Sequence, residues 1–451
     1  MLTPNWSLIV VSPEKPPSHK SPLKVSEEIV SIEEVAVVED YPPDGGLRAW
    51  LVVFGVAIGM GAMIGIVTSW GTWQAYYEED ALRTKSSSEI AWIGSVQSAM
   101  SYAPGLLVGR LFDMGYFRLP VLASSVLFVA CMFLTAECTQ YWQFLLCQGF
   151  GIGITSGVFF NIGSMVLTHW FKKRLGLALA IAYSGISVFG CIFPIIMKTL
   201  LQYIGFKWTM RILGFISLGL LVATNMTAAG RLPGTRDLGP LFNLSEFKKP
   251  VYSFYVAALV FNNLALTNAS TYITLSAVDA GVDVGFSYDL VAIINAVSAL
   301  GQLVGGMLAD RYDPIDVLIS TLLAAVLNFA WPFATRVATL AVSAVLIGLS
   351  TGGVWASMVQ PFERMGRLAD VGLRIGMGFT LVTVGVVAGS PISGAIFDAT
   401  GSYKNVGYYS GSALVLSAAL MVVARHFLNK YDRARKHRDG RGRSRLEPAL
   451  A

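Results

Sequence analysis

The sequence predicts an all-α polytopic membrane protein of twelve helices in two six-helix bundles. Three observations carry that prediction: membrane-length apolar runs fill the chain from Trp50 to Leu428, short polar or basic turns separate them, and a glycine-to-aspartate pattern recurs in both halves. A hydrocarbon core of roughly 30 Å needs about 20 mainly apolar residues per helix, and Leu51–Trp70, Leu119–Ala136 and Leu340–Met358 supply them. The chain is 54% hydrophobic and 14% charged, against about 25% charged in a soluble domain. That leaves too little charge to solvate a globular surface of 451 residues, so membrane lipid is an expected partner.

Hydropathy places the spans near 50–76, 90–112, 119–137, 142–168, 176–198, 208–229, 251–277, 286–309, 315–334, 338–361, 372–397 and 405–428. Residues 1–43 mix Pro, Ser, Lys and Glu at low hydrophobicity and are expected to be a disordered cytosolic tail. Within that tail Leu8–Val11 is too brief for a signal peptide and has no basic region before it. The first membrane helix is therefore the expected insertion signal. Residues 44–229 form the expected N-terminal bundle, 230–250 a cytosolic loop, 251–428 the C-terminal bundle and 429–451 a basic cytosolic tail.

Basic residues mark alternate turns: Arg118, Lys172 to Arg174, Arg231, Arg236, Lys248, Lys249, Arg364, Arg367 and Arg374. Turns on the opposite side carry Glu78, Glu79, Asp80, Glu137, Asp279 and Asp283. By the positive-inside rule both termini face the cytosol, and the net charge of +5 is a topology signal rather than a nucleic-acid footprint. The four cysteines, Cys131, Cys138, Cys147 and Cys191, have no metal-ligand or paired spacing and read as fillers in the apolar spans.

Gly109-Arg110-Leu111-Phe112-Asp113 ends the second span, and Gly306-Met307-Leu308-Ala309-Asp310, followed by Arg311, ends the eighth. Glycine at a helix end lets a neighbouring helix approach. A carboxylate one turn later reaches the membrane surface, where it can meet the positive N-terminus of an adjacent helix and nearby arginines. Gly109, Asp113, Gly306, Asp310 and Arg311 are therefore the expected gating residues. Their recurrence at corresponding places is an internal repeat, as in a transporter built from two related bundles.

These paired turns resemble those of the major facilitator superfamily, although Met114 follows Asp113 where that family usually has a basic residue. A narrower resemblance, to the monocarboxylate-porter family and especially its fungal branch, comes from Asp44-Gly45-Gly46-Leu47-Arg48-Ala49-Trp50 after Pro42-Pro43. It comes also from His169-Trp170-Phe171-Lys172-Lys173-Arg174 before Gly176, from Gly205 to Arg211, and from Pro391 to Tyr403. The resemblance implies alternating access by two rocking bundles around a midplane site. Proton-coupled members carry a buried arginine in the eighth helix, with an acidic partner one turn before it; here those places hold Gln302 and Ser298. The family's first-helix lysine has no counterpart in Leu51–Tyr77. A less anionic cargo and weak proton coupling are expected, with Asp310 and Glu363 near the cytosolic ends and Asp398 near the opposite end.

The expected substrate cavity is neutral and polar, drawn from Trp73, Asn161, Asn262, Asn295, Ser298, Gln302 and Trp355, with Asn263 and Asn268 as further amides. Each amide has an alternative use as glue between helices. Asn295 and Gln302 lie seven positions apart and so share a helix face. Tyr76 and Tyr77 read as an interfacial aromatic belt, and His169 as a surface anchor in its aromatic-basic turn. Gly149, Gly151 and Gly153 lie inside an apolar helix and read as a packing face rather than a nucleotide loop.

The expected function is secondary transport of a small organic metabolite without ATP, with export of a secondary metabolite ahead of import of a monocarboxylate. A membrane sensor that has lost transport is the alternative from another class. An enzyme is not expected, because no catalytic grouping, metal-ligand set or cofactor motif meets within the helices. The chain is expected to act singly, in the plasma membrane or alternatively the vacuolar membrane.

Overall fold

The computed structural model describes residues 42–231, 242–312 and 315–446. The expected disordered tail therefore lies outside the described residues except for Pro42 and Pro43, as do residues 232–241 of the loop between bundles. The N-terminal bundle contains α1 (Leu47–Ala81), α2 (Ser87–Met100 and Gly105–Asp113), α3 (Arg118–Thr135) and α4 (Tyr141–Trp170). It is completed by α5 and α6, which share the continuous stretch Leu175–Thr227 and part at Gly205, where φ is +73°. Only glycine adopts that backbone at little cost. The C-terminal bundle contains α7 (Pro250–Asp279), α8 (Val284–Tyr312), α9 (Ile315–Ala330), α10 (Val337–Ser357), α11 (Val371–Thr400) and α12 (Tyr403–Leu446). Twelve helices in two sets of six are thus present, and nine described helical stretches are long and apolar enough to cross a membrane.

Local sequence explains the breaks. Ser86 and Glu89 form a reciprocal capping box that starts α2, with Glu89 N donating to Ser86 Oγ at 3.2 Å and Ser86 N donating to Glu89 Oε2 at 3.1 Å. The same helix, predicted as one continuous span, is interrupted at Ser101 to Pro104. Pro104 brings no amide hydrogen to the ladder, and tight i to i+3 bonds run from Tyr102 N to Ala99 O and from Gly105 N to Tyr102 O. At its far end α12 runs on past the predicted limit at Leu428 to Leu446. Lys, Arg and Ala in that stretch favour helix, and Pro448 is the first proline after Tyr403.

The outer surface is apolar where lipid would lie. Phe215, Leu218, Val222 and Met226 on α6 and Ile319, Leu322 and Val326 on α9 are exposed at three- and four-residue spacing, which puts each set on one face. The basic turns gather at one face of the molecule and the acidic turns at the other. At the acidic face Lys207 Nζ and Arg211 Nη2 donate to Glu137 at 3.1 and 2.6 Å, and these two cations hold its carboxyl below the ordinary carboxylate range. The contact ties the α3–α4 turn to the start of α6.

Among the described residues, two helix pairs make the most extensive contacts between the bundles: α2 lies against α11, and α5 against α8. Both pairs are built on glycine. A Cβ on Gly109 would sit 2.1 Å from Gly372 O, and one on Gly306 would sit 2.3 Å from Gly176 O. The Gly149 to Gly153 stretch is likewise a packing surface, since a Cβ on Gly153 would meet Met100 Cβ at 2.8 Å.

Candidate functional site

At the basic face the two repeated aspartates do the same thing. Asp113, at the end of α2, accepts from Gly372 N at 2.9 Å and Leu373 N at 2.7 Å, the opening amides of α11. Asp310, at the end of α8, accepts from Gly176 N at 2.6 Å and Leu177 N at 2.9 Å, the opening amides of α5. First-turn amides lack partners inside their own helix, and the helix dipole makes that end positive. A carboxylate from the opposite bundle therefore satisfies them in both charge and hydrogen bonding. The receiving Gly-Leu pairs, Gly176-Leu177 and Gly372-Leu373, form a second internal repeat that the sequence reading missed. Its signal was available, because each pair opens a predicted span in equivalent halves.

The surroundings of the two contacts differ. Asp113 is buried and flanked by a second glycine pair, with a Cβ on Gly376 placed 2.2 Å from Gly105 O. Thr380 Oγ1 adds a crossing pair of bonds, accepting from Leu106 N at 2.9 Å and donating to Ala103 O at 3.2 Å. Asp310 is only partly buried and takes a further bond from Gln360 Nε2 at 3.0 Å. Arg311 does not enter the contact. Its guanidinium lies 5.2 Å above the Tyr312 ring, exposed at the surface.

Above these contacts, aromatic rings from both bundles meet. Tyr102, in the break of α2, stacks on Trp355 of α10 with ring centres 6.3 Å apart and planes 26° apart. Phe160 of α4 stacks on Phe379 of α11 at 5.5 Å and on Tyr183 of α5 at 5.8 Å. Ser187 Oγ of α5 donates to Gln302 Oε1 of α8 at 3.4 Å, and Ser298 is buried one turn earlier on α8. Trp355 and Gln302 are thus brought to the contact between bundles, while Ser298 packs against Gly352 of α10 in its own bundle and Asn295 is half-buried on the same helix as Ser298. Tyr102, Phe160, Tyr183 and Phe379 were not singled out from sequence, because an aromatic in an apolar span carries no mark of the face it occupies.

Other expected cavity residues lie elsewhere. Trp73 is fully buried inside the N-terminal bundle, stacked on Tyr77 and edge-on to Phe206. Tyr77, expected in an interfacial belt, is instead buried there and hydrogen-bonded to Gln148. Asn262 donates to Thr321 Oγ1 at 3.4 Å and Asn268 to Ser410 Oγ at 2.9 Å, so both join helices of one bundle. Asn263 donates back to Leu259 O. Asn161 donates to Gly157 O at 2.8 Å, and its buried Oδ1 lies beside Gly105, close to the α2–α11 contact. His169, expected as a surface anchor, is buried with its ring 4.5 Å from that of Phe112. Packing partners decide these positions, and residue type alone does not name them.

The comparisons with known proteins agree with this architecture. The family model described as Major Facilitator Superfamily matches residues 49–315 and 256–450. The chain is 33% identical over 381 residues to the aspyridones efflux protein apdF of Emericella nidulans, a match covering 84% of this chain and 78% of that protein. It is 30% identical over 413 residues to the riboflavin transporter MCH5 of Saccharomyces cerevisiae, covering 85% and 79%. Its fold is similar to the crystal structure of FucP in the outward conformation, with a TM-score of 0.64, 14% identity and coverage of 84% of this chain and 98% of that one. The chain therefore belongs to the Major Facilitator Superfamily, as a multi-pass membrane protein that moves a small organic solute by alternating access rather than catalysing a reaction.

Proposed function

We propose that the chain exports a planar, weakly charged organic metabolite, binding it among the aromatic rings between the bundles. The observation that carries this reading is the Tyr102–Trp355 stack across the two bundles, continued by Phe160 and Phe379. Planar rings favour offset or edge contacts with other rings, and Gln302 and Ser298 add neutral hydrogen-bonding groups. Relatives named for aspyridone efflux and riboflavin transport support a cargo of this type.

The basic face is cytosolic in this proposal, and the Asp113 and Asp310 contacts are two latches that close it. Opening that face breaks both latches, while closing it re-forms them. The plasma membrane is the proposed site of action, with the vacuolar membrane as the alternative that imaging of a tagged full chain would distinguish. Membership of the monocarboxylate-porter branch is supported by the Asp44-to-Trp50 and His169-to-Arg174 segments. Monocarboxylate import is the second reading that this branch suggests. Gln302 weighs against it, since a carboxylate is held best by a guanidinium at such a site.

Flux into proteoliposomes of labelled riboflavin, as a planar heteroaromatic, and labelled lactate, as a short carboxylate, separates the two readings. Ring contacts of this kind contribute about 0.5–1.5 kcal/mol each, so Tyr102→Ala and Trp355→Ala should each weaken riboflavin transport by about three- to tenfold. Gln302→Ala should raise the half-saturating concentration by a smaller factor. Transport of lactate alone, untouched by either aromatic substitution, would overturn the proposal.

A further inference from the structure

We infer that Asp44, in the strap ahead of α1, is a positioning residue for the α5–α8 latch; the inference rests on the latch reading above. Asp44 Oδ1 accepts from Lys172 N and Lys173 N, both at 2.6 Å, and from Arg174 N at 3.5 Å. Its own amide donates to Trp170 O at 3.1 Å. It is the one non-glycine residue with positive φ among the described residues, at +54°. That backbone is strained for a residue with a Cβ, and aspartate tolerates it when its carboxylate is fixed by local hydrogen bonds. Gly46 follows at φ +91° and turns the chain into α1.

Two carboxylates therefore hold successive amides, one in the turn before α5 and one in its first turn. Asp44 holds the turn at 172–174 from within the N-terminal bundle, and Asp310 takes the next amides, Gly176 and Leu177, from the other bundle. Asp44 belongs to the same bundle as α5, so rocking leaves its bonds intact, whereas Asp310 must depart when the latch opens. Fixing the turn aims Gly176 and Leu177 at Asp310.

The matching latch supports this assignment by contrast. There the turn before α11 is held from inside, by Arg374, which donates through Nε to Phe362 O at 3.2 Å and through Nη2 to Arg367 O at 2.6 Å. Arg374 stands two residues after the docking glycine Gly372, and the equivalent residue in α5 is Ala178, which has no polar group to offer. The α5 turn takes its fastening from the strap instead.

The test uses the purified full chain in lipid nanodiscs, with its four native cysteines replaced and spin labels at Met226→Cys and Tyr312→Cys, exposed sites on opposite bundles at the basic face. Loss of a net hydrogen bond shifts an equilibrium about fivefold, so Asp44→Ala should lower the ratio of short to long label separations by about that factor. Asp44→Asn, which keeps an acceptor oxygen, should restore it. In an Asp310→Asn background Asp44→Ala should add nothing, while in an Asp113→Asn background it should add its full effect. Equal effects in both backgrounds, or none in either, would overturn the inference, because a general structural role gives no such selectivity. If Asp44→Ala does not fold, Asp44→Ser carries the same comparison. An unshifted Asp310→Asn would count against the latch itself, whatever Asp44 does.

Discussion

The α2–α11 and α5–α8 contacts follow one plan and differ in depth and in how the receiving helix is held. In each, an aspartate one turn after a glycine docks on the opening amides of a helix in the other bundle. The α2–α11 contact is the deeper: Asp113 is buried, two glycine pairs bring the backbones together, and Thr380 ties across. The α5–α8 contact has one glycine pair, a partly buried Asp310 and a turn fastened by a separate strap. A hydrogen bond to a buried charge is worth more than one open to water. In the proposed latch reading the pair is thus a strong latch and a weak one, and the weak one is the expected place for tuning the balance between states.

Substitutions can break that comparison. The largest effect is expected from Gly109→Val, whose side chain would strike the Gly372 carbonyl, an atom of the opposing backbone that has no rotamer through which to move. Overpacking costs about 1–3 kcal/mol, so the closed-to-open ratio should fall by about ten- to a hundredfold, with flux lost alongside it. Accessibility of an engineered basic-face cysteine would read the shift, and a fully closed Gly109→Val protein would refute the packing argument.

A middle effect separates the aspartates. Hydrogen bonds to a charged group contribute about 1.5–3 kcal/mol when buried, so Asp113→Asn should shift the ratio by about tenfold and Asp310→Asn by about threefold. The reverse order, measured by the same accessibility, would mean that burial does not set latch strength.

The smallest effect is expected far from both latches. Glu137→Gln at the acidic face should leave the state ratio unchanged and lower thermal stability slightly at neutral pH. The Glu137 carboxyl is held below its ordinary range in the folded protein. Its contribution is therefore present above the unfolded-state value and lost as pH falls through the folded-state value. The difference between wild type and Glu137→Gln should vanish in acid, and a difference that grew there would contradict the sign.

Much of this fold was legible in the sequence. Span length and turn charge gave twelve helices and two halves, because lipid imposes a length and a hydropathy that any reading of residues detects. Asp113 and Asp310 were legible because a glycine and a carboxylate at fixed spacing have few uses at a helix end. Trp73, Asn262 and Tyr77 were misplaced for the converse reason: each suits a cavity, a helix contact or an interface equally, and only its neighbours in space decide. Tyr102 and Phe379 were invisible, since their significance lies in meeting across two bundles whose rotation the sequence does not state.

The central claim is that two aspartate latches together hold the basic face shut. The most direct measurement is the distance distribution between labels at Met226→Cys and Tyr312→Cys in nanodiscs for the otherwise unsubstituted chain, Asp113→Asn, Asp310→Asn and the double variant. The account predicts a short-distance population that falls slightly in Asp310→Asn, further in Asp113→Asn and furthest in the double variant. A double variant that kept the distribution of the unsubstituted latches, while remaining folded and monodisperse, would contradict it.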